Sequence, residues 1–126
     1  MINYNIKHIG LQVTQEDLST FYVAIMGLKF LSDFKIPTKE AERIFGIAEE
    51  VKIIYATSEE IDFELFVSKS NNRSFNHICI ETKGDELINK ITSQNQYKVS
   101  IREKRDKPNT YFLSDSNNNI FEIKPI

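Results

Sequence analysis

The sequence predicts an α+β domain made of two similar strand–helix–strand halves, and three observations carry that prediction. A strand pattern with a histidine at its second position, followed by a helix, occurs twice, at Lys7 to Val13 and at Asn76 to Thr82. A segment reading aromatic, Glu, aliphatic also occurs twice, as Phe63-Glu64-Leu65 and Phe121-Glu122-Ile123. Between the copies, Ser68 to Ser74 is polar with two adjacent asparagines and no apolar residue. That stretch reads as a linker between modules of about 1–68 and 75–126 within a single domain, 1–126.

The elements follow from periodicity and punctuation. Ile6 to Val13 alternates, with Ile9, Leu11 and Val13 on one face and His8, Gly10 and Gln12 on the other. Thr14 with Asp17 three residues later forms a variant capping box. Leu18, Phe21, Tyr22 and Ile25 then recur at helical spacing, and Gly27 supplies the stop. A second strand runs from about Lys29 to Ile36 and ends at Pro37. Thr38 to Gly46 is a short extra helix, with Ala41, Ile44 and Phe45 as its apolar side and Gly46 as its stop. Val51 to Thr57 and Ile61 to Val67 are strands joined by Ser58-Glu59-Glu60.

The second half repeats the order. Its strand from Asn76 to Thr82 leads to a helix at about Asp85 to Ser93 with Leu87, Ile88 and Ile91 inward. Strands follow near Lys98 to Glu103, Thr110 to Leu113 and Ile120 to Lys124. The turn between the last two holds Asn117-Asn118-Asn119. Asparagine tolerates the left-handed backbone that glycine would otherwise supply.

Composition narrows the function classes. A formal charge of −2 gives no case for nucleic acid or an anionic membrane, and no apolar run approaches a membrane span. Met1-Ile2-Asn3-Tyr4 runs into the first strand without a signal-peptide pattern. Cys79 is the one cysteine, so a cytoplasmic protein without an internal disulfide is expected. Cys79 itself, in an apolar strand, reads as packing. The basic run from Arg102 to Lys107 reads as a solvated strand end and loop, with an anion-holding role as its alternative.

The repeat gains chemical meaning from strand parity. His8 and Glu64 lie 56 residues apart and His77 and Glu122 lie 45 apart; the excess of 11 matches the extra Thr38–Gly46 helix and its flanks. In each Glu strand the two flanking apolar residues share the helix-covered face, so Glu64 and Glu122 take the opposite face, as His8 and His77 do in their strands. Singly, each reads as an ordinary strand residue. Matched in both halves, two imidazoles and two carboxylates on one side of a curved sheet call for a compensating cation.

Several motifs coincide at this point: His8-Ile9-Gly10-Leu11, Phe21-Tyr22 with Met26-Gly27-Leu28, Phe63-Glu64-Leu65, His77-Ile78, and Phe112 to Ile123. Together they resemble the vicinal oxygen chelate superfamily, which includes glyoxalase I, bleomycin-resistance proteins, fosfomycin-resistance enzymes, methylmalonyl-CoA epimerase and extradiol dioxygenases. The last segment is similar to the family's Phe-x-x-Asp-Pro-x-Gly-x-x-x-Glu ending, with Asp115-Ser116-Asn117-Asn118 in place of Asp-Pro-x-Gly.

The resemblance implies two βαβββ modules forming a curved mixed sheet around a metal cleft. It implies His8, Glu64, His77 and Glu122 as the four metal ligands of a glyoxalase I-like site; fosfomycin-resistance enzymes and extradiol dioxygenases resemble a three-ligand version without the Glu64 equivalent. Mixed nitrogen and oxygen ligation suits Zn, Ni, Co, Mn or Fe(II). The expected activity is that of a lyase or isomerase on a small substrate with oxygens on adjacent carbons. The metal would act as Lewis acid, with Glu122 first and Glu64 second as the proton-moving carboxylate. Arg102 and Lys104 are candidates for a substrate anion, with surface solvation as the alternative, and Tyr111 for a pocket wall, with the core as the alternative. The resemblance further implies a homodimer with a cleft drawn from both subunits. The competing readings are a drug- or metabolite-binding protein without catalysis and an Fe(II) extradiol-type dioxygenase.

Overall fold

The computed structural model describes residues 8–45, 47–69, 77–103 and 105–126, with the side chains of Phe45 and His77 outside that description. The start of the first strand at Ile6, the stop at Gly46, most of the Ser68–Ser74 linker and Lys104 therefore lie outside the described residues.

The first half runs β1 (Ile9–Val13), a π-helical segment (Leu18–Val23), β2 (Lys29–Ile36), α1 (Thr38–Phe45), β3 (Val51–Thr57) and β4 (Asp62–Val67). The second runs β5 (His77–Thr82), α2 (Glu86–Ser93), β6 (Lys98–Arg102), β7 (Thr110–Ser114) and β8 (Ile120–Pro125). Each half is one four-stranded mixed sheet, ordered β1-β4-β3-β2 and β5-β8-β7-β6. In both, the first strand pairs in parallel with the last, and the remaining pairings are antiparallel. The halves are thus two βαβββ modules with the same topology, and α1 has no counterpart among the described residues of the second. Among the described residues, no helix is long and apolar enough to cross a membrane.

The first helix departs from the expected form. Its apolar stripe is as read, with Leu18, Phe21, Tyr22 and Ile25 all buried. The backbone is wider than an α-helix, because Ala24 N bonds Ser19 O at 3.0 Å and Met26 N bonds Phe21 O at 2.9 Å, each spanning five residues. Gly27 ends it at φ +70, the left-handed conformation a side chain disfavours. In α1, Ala41 is fully buried but Ile44 is exposed, so the apolar side of this helix is narrower than the pattern suggested.

One interior serves both modules. Val13, Phe21, Tyr22, Phe63 and Leu65 from the first half and Ile91, Tyr97, Leu113, Phe121 and Ile123 from the second form a single core cluster. Phe21 stacks edge-on against Tyr97 at 4.8 Å between ring centroids, and Tyr22 meets Phe121 at 6.2 Å.

A buried polar clamp crosses the same boundary. The Thr14 hydroxyl accepts a 3.4 Å bond from Asp17 N, but the Asp17 carboxylate turns to the other half. It accepts from Tyr97 Oη at 2.7 Å, Ser116 N at 2.6 Å and Ser116 Oγ at 2.7 Å, and Thr20 also bonds the Tyr97 hydroxyl. Asp115 accepts from Tyr22 Oη, from the backbone of Asn117 and Asn119, and from Asn119 Nδ2. The side-chain amides of Asn117 and Asn119 donate to Gln12 O at 2.6 and 2.5 Å. Asn118, at φ +62, makes the turn that the sequence assigned to this asparagine run. Burial raises the Asp115 carboxyl above its ordinary value, against the bonds from Asn119 and Tyr22 that favour its charged form.

Candidate metal centre

The chemical residues stand on the sheet faces that the shared core leaves uncovered. Phe63 and Leu65 are at most 1% exposed in β4, and Phe121 and Ile123 likewise in β8. Glu64 and Glu122, between them, project from the other side of their sheets and are half-buried.

The registers of the two parallel pairs are equivalent. Gly10 faces Glu64 across β1 and β4, and Cys79 faces Glu122 across β5 and β8. His8 precedes Gly10 by two positions, so it lies one step along the strand on the face of Glu64. His77 precedes Cys79 by the same two positions. In the first half this produces a contact: His8 Nε2 lies 3.0 Å from Glu64 Oε1, with the histidine side chain 37% exposed and the glutamate 19%.

The neighbouring side chains on this face are fixed by bonds of their own. Tyr55, paired with Glu64 across β3 and β4, donates from its hydroxyl to Asp62 Oδ2 at 2.8 Å. Thr57 Oγ1 donates to Asp62 Oδ1 at 2.8 Å. The bond to Asp62, followed by desolvation and the charges of Asp62 and Glu64, raises the Tyr55 phenol above its ordinary value and keeps it a donor.

In the second half, Lys124 Nζ lies 3.6 Å from Glu122 Oε2. The histidine of this half pairs through its backbone with Ile120, and its side chain lies outside the described residues. Among the described residues, no three His, Cys, Asp or Glu side chains are grouped to hold one ion. His8 and Glu64 are therefore together, while Glu122 stands on the other sheet.

Other expectations change with the geometry. Tyr111 pairs with Ile123 and packs on the core, on the opposite face from Glu122, so it is not a wall of this site. Arg102, at the end of β6, is exposed and shares strand parity with Ser100, whose partner Phe112 faces Glu122. Cys79 is exposed rather than packed; parity with His77 was the signal that assigned its face. The sequence reading also missed a cleft beside Gly10 and Phe66, lined from above by Ala41 of α1. A glycine in an otherwise alternating strand was the trace of it.

No family model and no curated protein sequence matches the chain. Solved structures do. A fosfomycin resistance protein, FosX, from Listeria monocytogenes superposes with a TM-score of 0.73 at 15% identity, over 99% of this chain and 95% of that one. A FosX variant from the same organism, complexed with Mn(II) and 1S,2S-dihydroxypropylphosphonic acid, gives a TM-score of 0.70 at 15% identity over 98% and 90%. A glyoxylase/bleomycin resistance protein/dioxygenase domain from Frankia sp. EAN1pec gives 0.72 at 13% identity over 98% and 93%.

This chain has the vicinal oxygen chelate fold. At these identities the likeness concerns the backbone. In vicinal oxygen chelate terms, the chain is two complete βαβββ modules, with α1 inserted between the second and third strands of the first.

Proposed function

We propose that the chain is a divalent-metal-dependent lyase or isomerase acting on a small substrate with oxygens on adjacent carbons. His8, Glu64, His77 and Glu122 are its metal ligands. The observation that carries this reading is the repeated register, in which the position two residues before the strand partner of each glutamate is a histidine. The donor chemistry fits a divalent ion: two neutral imidazoles and two carboxylates balance its charge, and His8 and Glu64 already lie within 3.0 Å of each other. The Mn(II)-bound FosX neighbour supports a metal in this fold.

The ion supplies Lewis-acid polarisation of the substrate oxygens. One carboxylate of the chain, Glu122 by preference and Glu64 otherwise, moves the proton between the two carbons, a step that requires a base within hydrogen-bond reach. Arg102 and Lys104 hold an anionic substituent of the substrate. The Lys124–Glu122 ion pair at 3.6 Å, which meets the Glu122 charge without an ion, is the observation that favours the competing reading of a metal-free binding protein. Metal content together with coordination number, measured on protein purified without an affinity tag, separates the two: four protein ligands per ion support the lyase or isomerase, and no bound metal supports the binder. Three ligands would redirect the assignment to fosfomycin-resistance or dioxygenase chemistry.

The quartet is completed across a homodimer. The core faces of both sheets belong to one interior, so the open faces turn away from each other within a chain, and a second copy brings His77 and Glu122 onto His8 and Glu64. Mixing a His8→Ala/Glu64→Ala variant with a His77→Ala/Glu122→Ala variant tests this directly. With random exchange of subunits, about one quarter of the wild-type metal per chain returns, because half the dimers are mixed and each carries one intact site. A site contained within one chain recovers none.

A further inference from the structure

α1 lies on the open face of the first sheet, against the ladder position next to Glu64. Across β1, β4 and β3, Glu64 faces Gly10 and Tyr55, and the adjoining position is Phe66, facing Gln12 and Ile53. Ala41 of α1 packs on Val51 and Ile53 there, with Ile36 and Phe66 beside them. Between helix and sheet is a cleft of about 200 Å³ lined by Gly10, Gln12, Ala41, Ile47, Val51 and Phe66.

Three features give this cleft a direction. Its floor is continuous with Glu64, because Gly10 both lines it and pairs with Glu64. It is open at that point because Gly10 carries no side chain; a Cβ there would come within 3.4 Å of the Phe66 ring. Its opposite rim is polar, where Gln12 Nε2 donates to Ser68 Oγ at 3.0 Å and Ser68 Oγ donates to Glu49 Oε1 at 2.7 Å. The second half has Cys79 at the place of Gly10 and, among the described residues, no helix between β6 and β7 to roof that position.

We infer that the cleft under α1 is a specificity subsite, taking a short alkyl chain or single ring borne by the ligand whose oxygens reach His8 and Glu64. This rests on the metal-site reading above. The volume is smaller than the roughly 300–1,000 Å³ of a site for a whole drug-sized ligand, which suits one apolar substituent rather than a complete molecule. The first module thereby holds the apolar part of the ligand.

Acetohydroxamate and hexanohydroxamate present the same pair of oxygens and differ in alkyl length. Calorimetric titration of the Mn(II)-loaded protein with each tests the subsite. Affinity should rise about fourfold per methylene that enters the cleft. The ratio of the two affinities should collapse towards one in Ala41→Leu, which fills the cleft from the roof, and in Gly10→Val, which fills it from the floor with a residue suited to a strand. Equal affinities in the unaltered protein, or a ratio preserved in both variants, would overturn the subsite and leave the metal reading standing. If neither hydroxamate binds, the metal reading falls and 1-hexanol titrated into the metal-free protein decides the cleft. Amide shifts at Gly10, Ala41 and Phe66 that are lost in Ala41→Leu uphold it, and their absence overturns it.

Discussion

The hydroxyl of Tyr22 donates to Asp115 Oδ2 at 2.7 Å, joining the first helix of one module to the last turn of the other across 93 residues of chain. Tyr22 is fully buried and Asp115 nearly so. Tyr22→Phe keeps the ring and removes the bond to a desolvated carboxylate. The expected cost is about 1.5–3 kcal/mol, the range for hydrogen bonds to charged groups, read as a lower urea midpoint with an unchanged slope.

The same boundary predicts a loss of stability at high pH. Burial, the Asp115 charge and the Asp115 bond push the Tyr22 phenol well above its ordinary value, and burial raises Tyr97 to about 12. An unfolded chain gives up these protons near pH 10, whereas the folded chain keeps them. Between those values the unfolded state binds fewer protons, so stability falls as pH rises. The contribution is complete below about pH 10 and disappears as pH passes through the folded value. Unfolding measured from about pH 9 to about pH 11 should show this decline, and Tyr97→Phe should flatten it.

Metal content should respond to the proposed ligands and to a neighbour. Substitution of a ligand exceeds the 10–100-fold effect typical of outer groups, so His77→Ala should lower affinity by more than about 100-fold. Stoichiometric metal retained in that variant would sink the quartet. Lys124, 3.6 Å from Glu122, competes with an ion for that carboxylate. Lys124→Met should raise affinity by up to about fivefold, the scale of a partly exposed ion pair.

Two apolar positions of α1, Ala41 and Ile44, should behave differently. Ala41 is fully buried against β3 and Ile44 is half exposed. Ile44→Lys should change stability by no more than about 0.5 kcal/mol. Ala41→Asp places an unpaired charge in the contact and should detach the helix. Proteolysis of the segment around α1, rapid in Ala41→Asp and slow in Ile44→Lys, checks the difference.

Much of this arrangement was legible in the sequence because strands report their faces by parity. Phe63 and Leu65 on the core side force Glu64 to the other, and the same holds for Glu122. The insertion was legible as an interval difference, and the asparagine turn as a chemical requirement for left-handed backbone. What parity does not report is which covered face meets which element. Asp17 read as a local cap, yet its carboxylate is spent on Tyr97 and Ser116 from the other half. Cys79 read as packing because its neighbours are apolar, although its parity matches His77. The width of the first helix was invisible, since its apolar spacing suits a five-residue hydrogen-bond span as well as a four-residue one.

In both sheets the strand that opens the module pairs with the strand that closes it, across 54 residues for Ile9 and Phe63 and 43 for His77 and Ile120. The antiparallel pairs β3–β4 and β7–β8 need only short loops and can form early, whereas β1 and β5 must wait for the entropic cost of long closure to be met. His8 and Glu64 cannot approach until β1 has docked. A partly folded chain with its hairpins in place has the carboxylates but not the imidazoles, so an ion held by the finished pair selects the completed module over its folding intermediates. Uptake of an ion by such a chain during refolding should follow the docking of β1 rather than precede it.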